Sequence, residues 1–200
     1  MPSAFSHAVA SIALGRAYTT HPLPLRFWVL CSVCAVAPDI DVLANRFGFD
    51  YTTMLGHRGL THSLFFAMAL SGLVILLFFR KRVDGTLSRF ALFAFFFAAT
   101  ASHSVLDAMV DGTLGVAFFA PFSATRFLLP WRPIISSPIG LSFFSSAGAA
   151  TIMNEFVWVW IPSLVVILAP WVRNRFLTKR SSDKQDLELD QRPFEVQPES

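Results

Sequence analysis

Histidines and carboxylates recur along this chain at spacings that suit metal chemistry. In HSVLD, His103 and Asp107 are four residues apart, which places them one turn apart on one helical face. PDID carries Asp39 and Asp41, HRGLTHS carries His57 and His62, His7 lies near the start, and Glu155 precedes the aromatic run FVWVW. Imidazoles with carboxylate oxygens suit a divalent ion of intermediate softness such as Zn²⁺, and sites with shared carboxylates suit two ions about 3.5–4 Å apart. The reaction such a site supports is hydrolysis, with metal-activated water attacking a phosphoester or related bond. On this reading the expected ligands are His7, Asp39, His57, His62, His103 and Asp107, with Asp111 extending the HxxxD face as a second-tier candidate. Asp41 and Glu155 serve as catalytic base, further ligand or outer partner. Arg58, Arg126 and Arg132 are the expected substrate-binding residues, because a guanidinium matches phosphate oxygens two at a time.

Each piece has an ordinary alternative. A lone HxxxD on an apolar helix is a packing pair, His7 an interfacial residue, Asp111 and Asp41 loop or cap residues, and the three arginines lipid-headgroup anchors. The joint placement carries the metal reading. His57 and His62 would diverge by about 140° on a continuous helix, so Gly59 is expected to bend the chain between them. An extended DxD would point Asp39 and Asp41 apart, leaving one as ligand and the other as its partner.

The elements that must position these groups are read from apolar runs broken by Pro, Gly and charge. They predict an all-α chain of about five helices, over 4–18, 25–36, 61–79, 88–110 and 152–171. Thr61 is the expected cap of the third, Pro38 the stop of the second, and Pro162 a kink in the fifth. In the first helix Ala4, Ala8, Ser11 and Gly15 form a small-residue stripe for close helix approach. Residues 113–150, rich in Phe, Pro, Ser and Gly, have no clean period and are apolar enough to lie in the membrane interface. Cys31 and Cys34 lie within FWVLCSVCAVA without a second pair, so they read as buried packing residues rather than a zinc knuckle.

The chain is a membrane protein by composition: 54% of its 200 residues are hydrophobic, 22 of them phenylalanine, and its mean hydropathy is +0.55. Leu64 to Phe79 is a run of 16 uncharged residues, about 24 Å as a helix, which fits a short or tilted span. The start MPSAFSH lacks the features of a cleavable signal. The net charge of +3 is modest, and nothing resembles a nucleic-acid-binding face. When the helices are folded up and down, twelve of the sixteen Lys and Arg residues fall at one end; the positive-inside rule puts that end in the cytoplasm. The expected ligands and Glu155 all fall at the other end, and His21 falls at the cytoplasmic end as a turn residue. Residues 1–177 thus form one membrane-embedded domain. Residues 178–200 are too polar to form a core and predict a disordered cytoplasmic tail.

With SH at 6–7, PDID at 38–41, HRGLTHS at 57–63, HSVLD at 103–107, the turn into APFS and NEFVWVW at 154–160, the chain resembles the inner-membrane-bound, LexA-regulated metal-dependent hydrolases over residues 1 to about 172. The resemblance implies a polytopic protein of the bacterial inner membrane whose His/Asp residues bind divalent metal, and the family name asserts hydrolase activity. Similar proteins often have Thr or Asn with Gly just after HxxxD, where this chain has Val110-Asp111-Gly112-Thr113. The helical ligands also look distantly like those of zinc-dependent phospholipases C. Taken together, the expectation is a membrane-bound metal-dependent hydrolase with its site facing the periplasm, membrane lipids as partners and a lipid-like or phosphoester substrate. The rivals are a metal- or proton-coupled transporter and a non-catalytic metal-binding membrane protein. Transport sites lie near the midplane between repeats, and this chain shows neither feature.

Overall fold

The computed structural model describes residues 1–19, 23–80, 88–138, 140–170 and 172. His21 and the predicted tail over 178–200 lie outside the described residues. The described structure is all-α: α1 (Ala4–Tyr18), α2 (Leu25–Val36), α3 (Leu64–Phe78), α4 (Arg89–Ala108) and α5 (Ser146–Glu155), with two isolated β-bridges besides. α4 is the hub and packs against α1, α2 and α3. Its buried positions Leu92, Phe95, Phe96, Ala99, Thr100, His103, Ser104, Asp107 and Ala108 follow the spacing of three and four that defines one helical face.

The apolar half of that face joins Phe27, Cys31, Cys34, Val74 and Phe79 in the main core. Both cysteines are free and buried. The small-residue stripe of α1 holds at Ser11 and Gly15, which are buried, whereas Ala4 is exposed. A Cβ on Gly15 would come within 2.7 Å of the Trp28 ring, so glycine there sets the α1–α2 approach.

Several boundaries differ from expectation for identifiable reasons. α3 starts at Leu64, and Ser63 rather than Thr61 caps it, accepting from Phe66 N at 3.0 Å; the Thr61 hydroxyl is engaged by Asp41 instead. Past Val36 the chain tightens into a 3₁₀ helix, Ala37–Phe47. With three residues per turn, Asp39 and Asp41 stand about 120° apart rather than on opposite faces of a strand. α4 stops at Ala108, so Asp111 leaves its face. α5 starts earlier than expected and widens into a π turn over Phe156–Trp160. Pro162 cannot donate to the carbonyl four residues back, and the wider turn accommodates that missing bond.

Two helical stretches, Arg89–Ala108 and Ser146–Pro170, are long and apolar enough to cross a membrane, and Leu64–Phe78 is apolar but shorter. α1 and α2, with 15 and 12 residues, also fall short of the roughly 20 needed to span the hydrocarbon unaided. The second half of the Ser146–Pro170 stretch exposes Leu164, Val165 and Leu168, an outward apolar face that suits lipid contact.

Residues 110–137 fold back over the ligand-bearing end of the bundle. Backbone hydrogen bonds tie this cover to α4 (Leu129 N to Ala108 O, 2.9 Å), to the 57–63 loop (Ala117 N to Arg58 O, 3.0 Å) and to α3 (Leu64 N to Phe118 O, 3.0 Å). Asn154 on α5 clamps it from the side, accepting from Ile135 N and donating to Pro133 O.

Candidate metal centre

α4 presents His103 and Asp107 one turn apart, both fully buried. His103 Nδ1 lies 2.7 Å from Ala35 O at the end of α2. A carbonyl only accepts, so Nδ1 carries the ring proton and the Nε2 lone pair faces inward. His62 arrives from a short 3₁₀ turn, Leu60–His62, whose carbonyl is gripped by Ser104 Oγ at 2.7 Å. The His62 Nδ1 atom lies 3.0 Å from Asp41 Oδ2, and its Nε2 lies 3.0 Å from His103 Nε2.

Asp39 and Asp107 complete this meeting point. His62 Nε2 is 3.3 Å from Asp107 Oδ2 and 3.8 Å from Asp39 Oδ1, and His103 Nε2 is 3.4 Å from Asp39 Oδ1. A tetrahedral ion with bonds of about 2.0–2.1 Å holds neighbouring ligand atoms about 3.3 Å apart. The four measured edges, 3.0 to 3.8 Å, scatter around that value. Both carboxylate oxygens of Asp39 and Oδ1 of Asp107 are buried without a hydrogen-bond partner, an arrangement that costs free energy unless a cation is shared. Asp39, His62, His103 and Asp107 therefore fit a divalent ion. A second set, Asp39, Asp41, His57 and His62, also brings one ligand atom from each residue within 4.8 Å of the others and shares Asp39 and His62 with the first.

Asp41 is the pivot behind these ligands. Its Oδ1 accepts from His57 Nδ1 at 2.6 Å, and its Oδ2 accepts from Arg58 N at 3.1 Å and from the Thr61 hydroxyl. Burial works to raise its carboxyl, but the hydrogen bonds from His57 and His62 outweigh it and hold Asp41 well below the usual carboxylate range. On His62, burial opposes the charged ring, yet the bonds to Asp107 and Asp41 prevail and push it up to about 9. A carboxylate that fixes the far nitrogen of ligating imidazoles is the common outer partner of metal sites.

His7 lies at the edge of the cluster. Its ring stacks on His103 at 3.6 Å, its Nε2 is 3.8 Å from Asp107 Oδ1, and neither nitrogen has a hydrogen-bond partner. Gly59 acts through space as well as through bending, since a Cβ there would meet Met54 O at 2.1 Å.

The three arginines separate sharply. Arg58 is 2% exposed, sits at φ +64° and places its Nε 2.9 Å from Asp107 Oδ2, so it is no headgroup anchor on the surface. A left-handed backbone at a non-glycine residue costs about 1–2 kcal/mol, and the hydrogen bonds at Arg58 N and O hold it there. Arg126 is absorbed by the carbonyls of His57, Gly115, Tyr51 and Thr53 and locks the loop beneath the cover. Arg132 pairs with Asp111 at 3.5 Å, both well exposed, so neither belongs to the centre.

Glu155 also departs from expectation. It is fully buried, but it accepts from Ser3 N at 2.6 Å, from the Ser3 hydroxyl and from Ser6 Oγ at 2.6 Å. Trp160 Nε1 donates to the same Ser6 Oγ at 2.8 Å. With its oxygens spent on the start of α1, Glu155 fastens α5 to α1 instead of acting as a base. Sequence reasoning missed Thr61 and Ser104, which orient Asp41 and His62; their small hydroxyls gave no signal apart from the tertiary fold.

Fold and site together define an all-helical membrane protein with a buried His/Asp cluster that can hold a metal ion. The chain belongs to the YdjM inner membrane protein family, whose profile matches residues 1–177. It is 33% identical over 176 residues to the inner membrane protein YbcI of Escherichia coli (strain K12), an alignment that covers 88% of this chain and all of that protein. No solved structure matches it.

Proposed function

We propose that the chain is a multi-pass metal-dependent hydrolase of the bacterial inner membrane, with its centre on the periplasmic side. The observation that carries this reading is the convergence of Asp39, His62, His103 and Asp107, with ligand atoms 3.0 to 3.8 Å apart and an Asp39 carboxylate that has no hydrogen-bond partner. A divalent ion held there, Zn²⁺ by the mixed N/O donor set, would supply Lewis acidity that acidifies water and polarises an ester oxygen. In the reaction a water oxygen joins phosphorus, the ester P–O bond breaks, and the leaving alkoxide takes up a proton. Asp41, by holding His57 Nδ1 at 2.6 Å, leaves the other ring nitrogen to accept the proton of the attacking water.

The ligands lie at one end of the bundle, and Arg16, Arg26, Arg80 and Arg89 lie at the opposite helix ends. That asymmetry supports the periplasmic orientation and favours hydrolysis over transport through a midplane site. The decisive experiment measures metal content and phosphodiester turnover of the purified protein and of His103→Ala. Metal and turnover lost together bear the reading out. Stoichiometric metal without turnover, combined with metal-dependent flux in liposomes, would overturn it. A reporter fused within 113–137 reads periplasmic if the orientation is right. LexA control is tested by transcript levels with and without DNA damage.

A further inference from the structure

Beside the His/Asp cluster is a partly enclosed cavity of about 250 Å³ lined by Met1, Tyr51, Arg58, Gly112, Thr113, Leu114, Ser136 and Ser137. Arg58 reaches it from the buried side. Its Nε is occupied by Asp107, and its Nη1 is buried with no hydrogen-bond partner. Around it stand the hydroxyl-bearing side chains of Tyr51, Thr113, Ser136 and Ser137. A desolvated guanidinium with an unspent N–H, surrounded by hydroxyls, is a site for an oxyanion.

We infer that this cavity is the head pocket for a phosphodiester, in which Arg58, the lining residue that also touches Asp107 of the cluster, takes a non-reacting phosphate oxygen. This deepens the hydrolase reading and rests on it. Charge favours a diester over a phosphomonoester. Three carboxylates, Asp39, Asp41 and Asp107, lie behind Arg58, and their repulsion, which grows with ligand charge, disfavours a dianion more than a monoanion. The volume admits a phosphate with a head of about glycerol size, and it lies just below the range of drug-sized ligand pockets of about 300–1,000 Å³. Such a diester reaches the site either as a phospholipid head or as a soluble ester.

The test uses the full chain in nanodiscs loaded with Co²⁺, whose visible spectrum reports ligands near the metal without turnover. Dimethyl phosphate, a monoanionic diester, is the binding probe, and the methyl ester of glycerol 3-phosphate, also a monoanionic diester, is the larger one. We expect Arg58→Gln to keep its Co²⁺ and to bind dimethyl phosphate at least tenfold more weakly, with Arg58→Lys in between. Leu114→Trp, which adds bulk at the cavity wall, should weaken the larger diester at least tenfold more than the smaller. Equal dimethyl phosphate binding in wild type and Arg58→Gln overturns the pocket, as does equal binding of the larger diester in wild type and Leu114→Trp. Arg58-dependent diester binding without hydrolysis of any diester sinks the hydrolase and leaves the pocket; hydrolysis indifferent to Arg58 and Leu114 does the reverse. Turnover of bis-p-nitrophenyl phosphate against phosphatidylglycerol separates the soluble source from the lipid one, and p-nitrophenyl phosphate turned over faster than either would overturn the diester assignment.

Discussion

The two ends of α4 share one buried face and do opposite things with it. Toward its start the face buries Leu92, Phe95, Phe96 and Ala99 against the apolar side chains of α2 and α3. Toward its end the same face buries Thr100, His103, Ser104 and Asp107. At the apolar end any well-fitting hydrocarbon satisfies a neighbour, so contacts are interchangeable and volume is what counts. At the polar end every buried atom needs a particular partner: Ala35 O for His103, His62 O for Ser104, Arg58 for Asp107. One end sets stability, and the other sets chemistry.

That contrast can be broken experimentally. The largest expected effect is at the polar end, where His103→Ala should reduce metal from stoichiometric to background by elemental analysis while far-ultraviolet circular dichroism keeps its helical content. At the apolar end Phe96→Ala should cost about 3–5 kcal/mol of stability, read as a lower thermal midpoint in detergent, with metal per folded molecule unchanged. Metal loss in Phe96→Ala would mean that the two ends are one cooperative unit.

Smaller effects sharpen the division. Asp41→Asn leaves one acceptor oxygen where His57 and His62 each use one and removes the negative charge; it should weaken metal binding about 10–100-fold without abolishing it, measured by competition with a chromophoric chelator. Because His62 is held up to about 9, its ring keeps a proton at neutral pH that an incoming ion must displace. Metal affinity should therefore rise about tenfold per pH unit below 9 and level off above it. An affinity flat between pH 7 and 8 would remove His62 from the ligand set. The smallest effect belongs to Cys34→Ala, buried among apolar neighbours, which should cost about 1 kcal/mol and leave metal content untouched.

The legible part of the site was the part written within single elements. His103 and Asp107 could be paired because a helix repeats every 3.6 residues, and the apolar run after HRGLTHS announced α3. The 3₁₀ path of Asp39 and Asp41 was hidden, because proline at 38 suggests a stop and gives no sign of a tighter helix continuing. The start of α3 was misplaced by three residues because Thr61 and Ser63 are equally good caps on paper. Only the approach of Asp41 decides which hydroxyl is free to cap.

By itself the sequence determined the helical character, the membrane setting and the gathering of His and Asp residues toward one end, since composition and periodicity act locally along the chain. The tertiary structure alone decided which of three arginines is buried, that Asp41 orients ligands and that Glu155 fastens α5 to α1. These roles depend on partners far apart in sequence: Glu155 meets Ser3 across 152 residues, and His103 meets Ala35 across 68. Spacing along a chain carries no distance of that kind; close packing of the helices creates it.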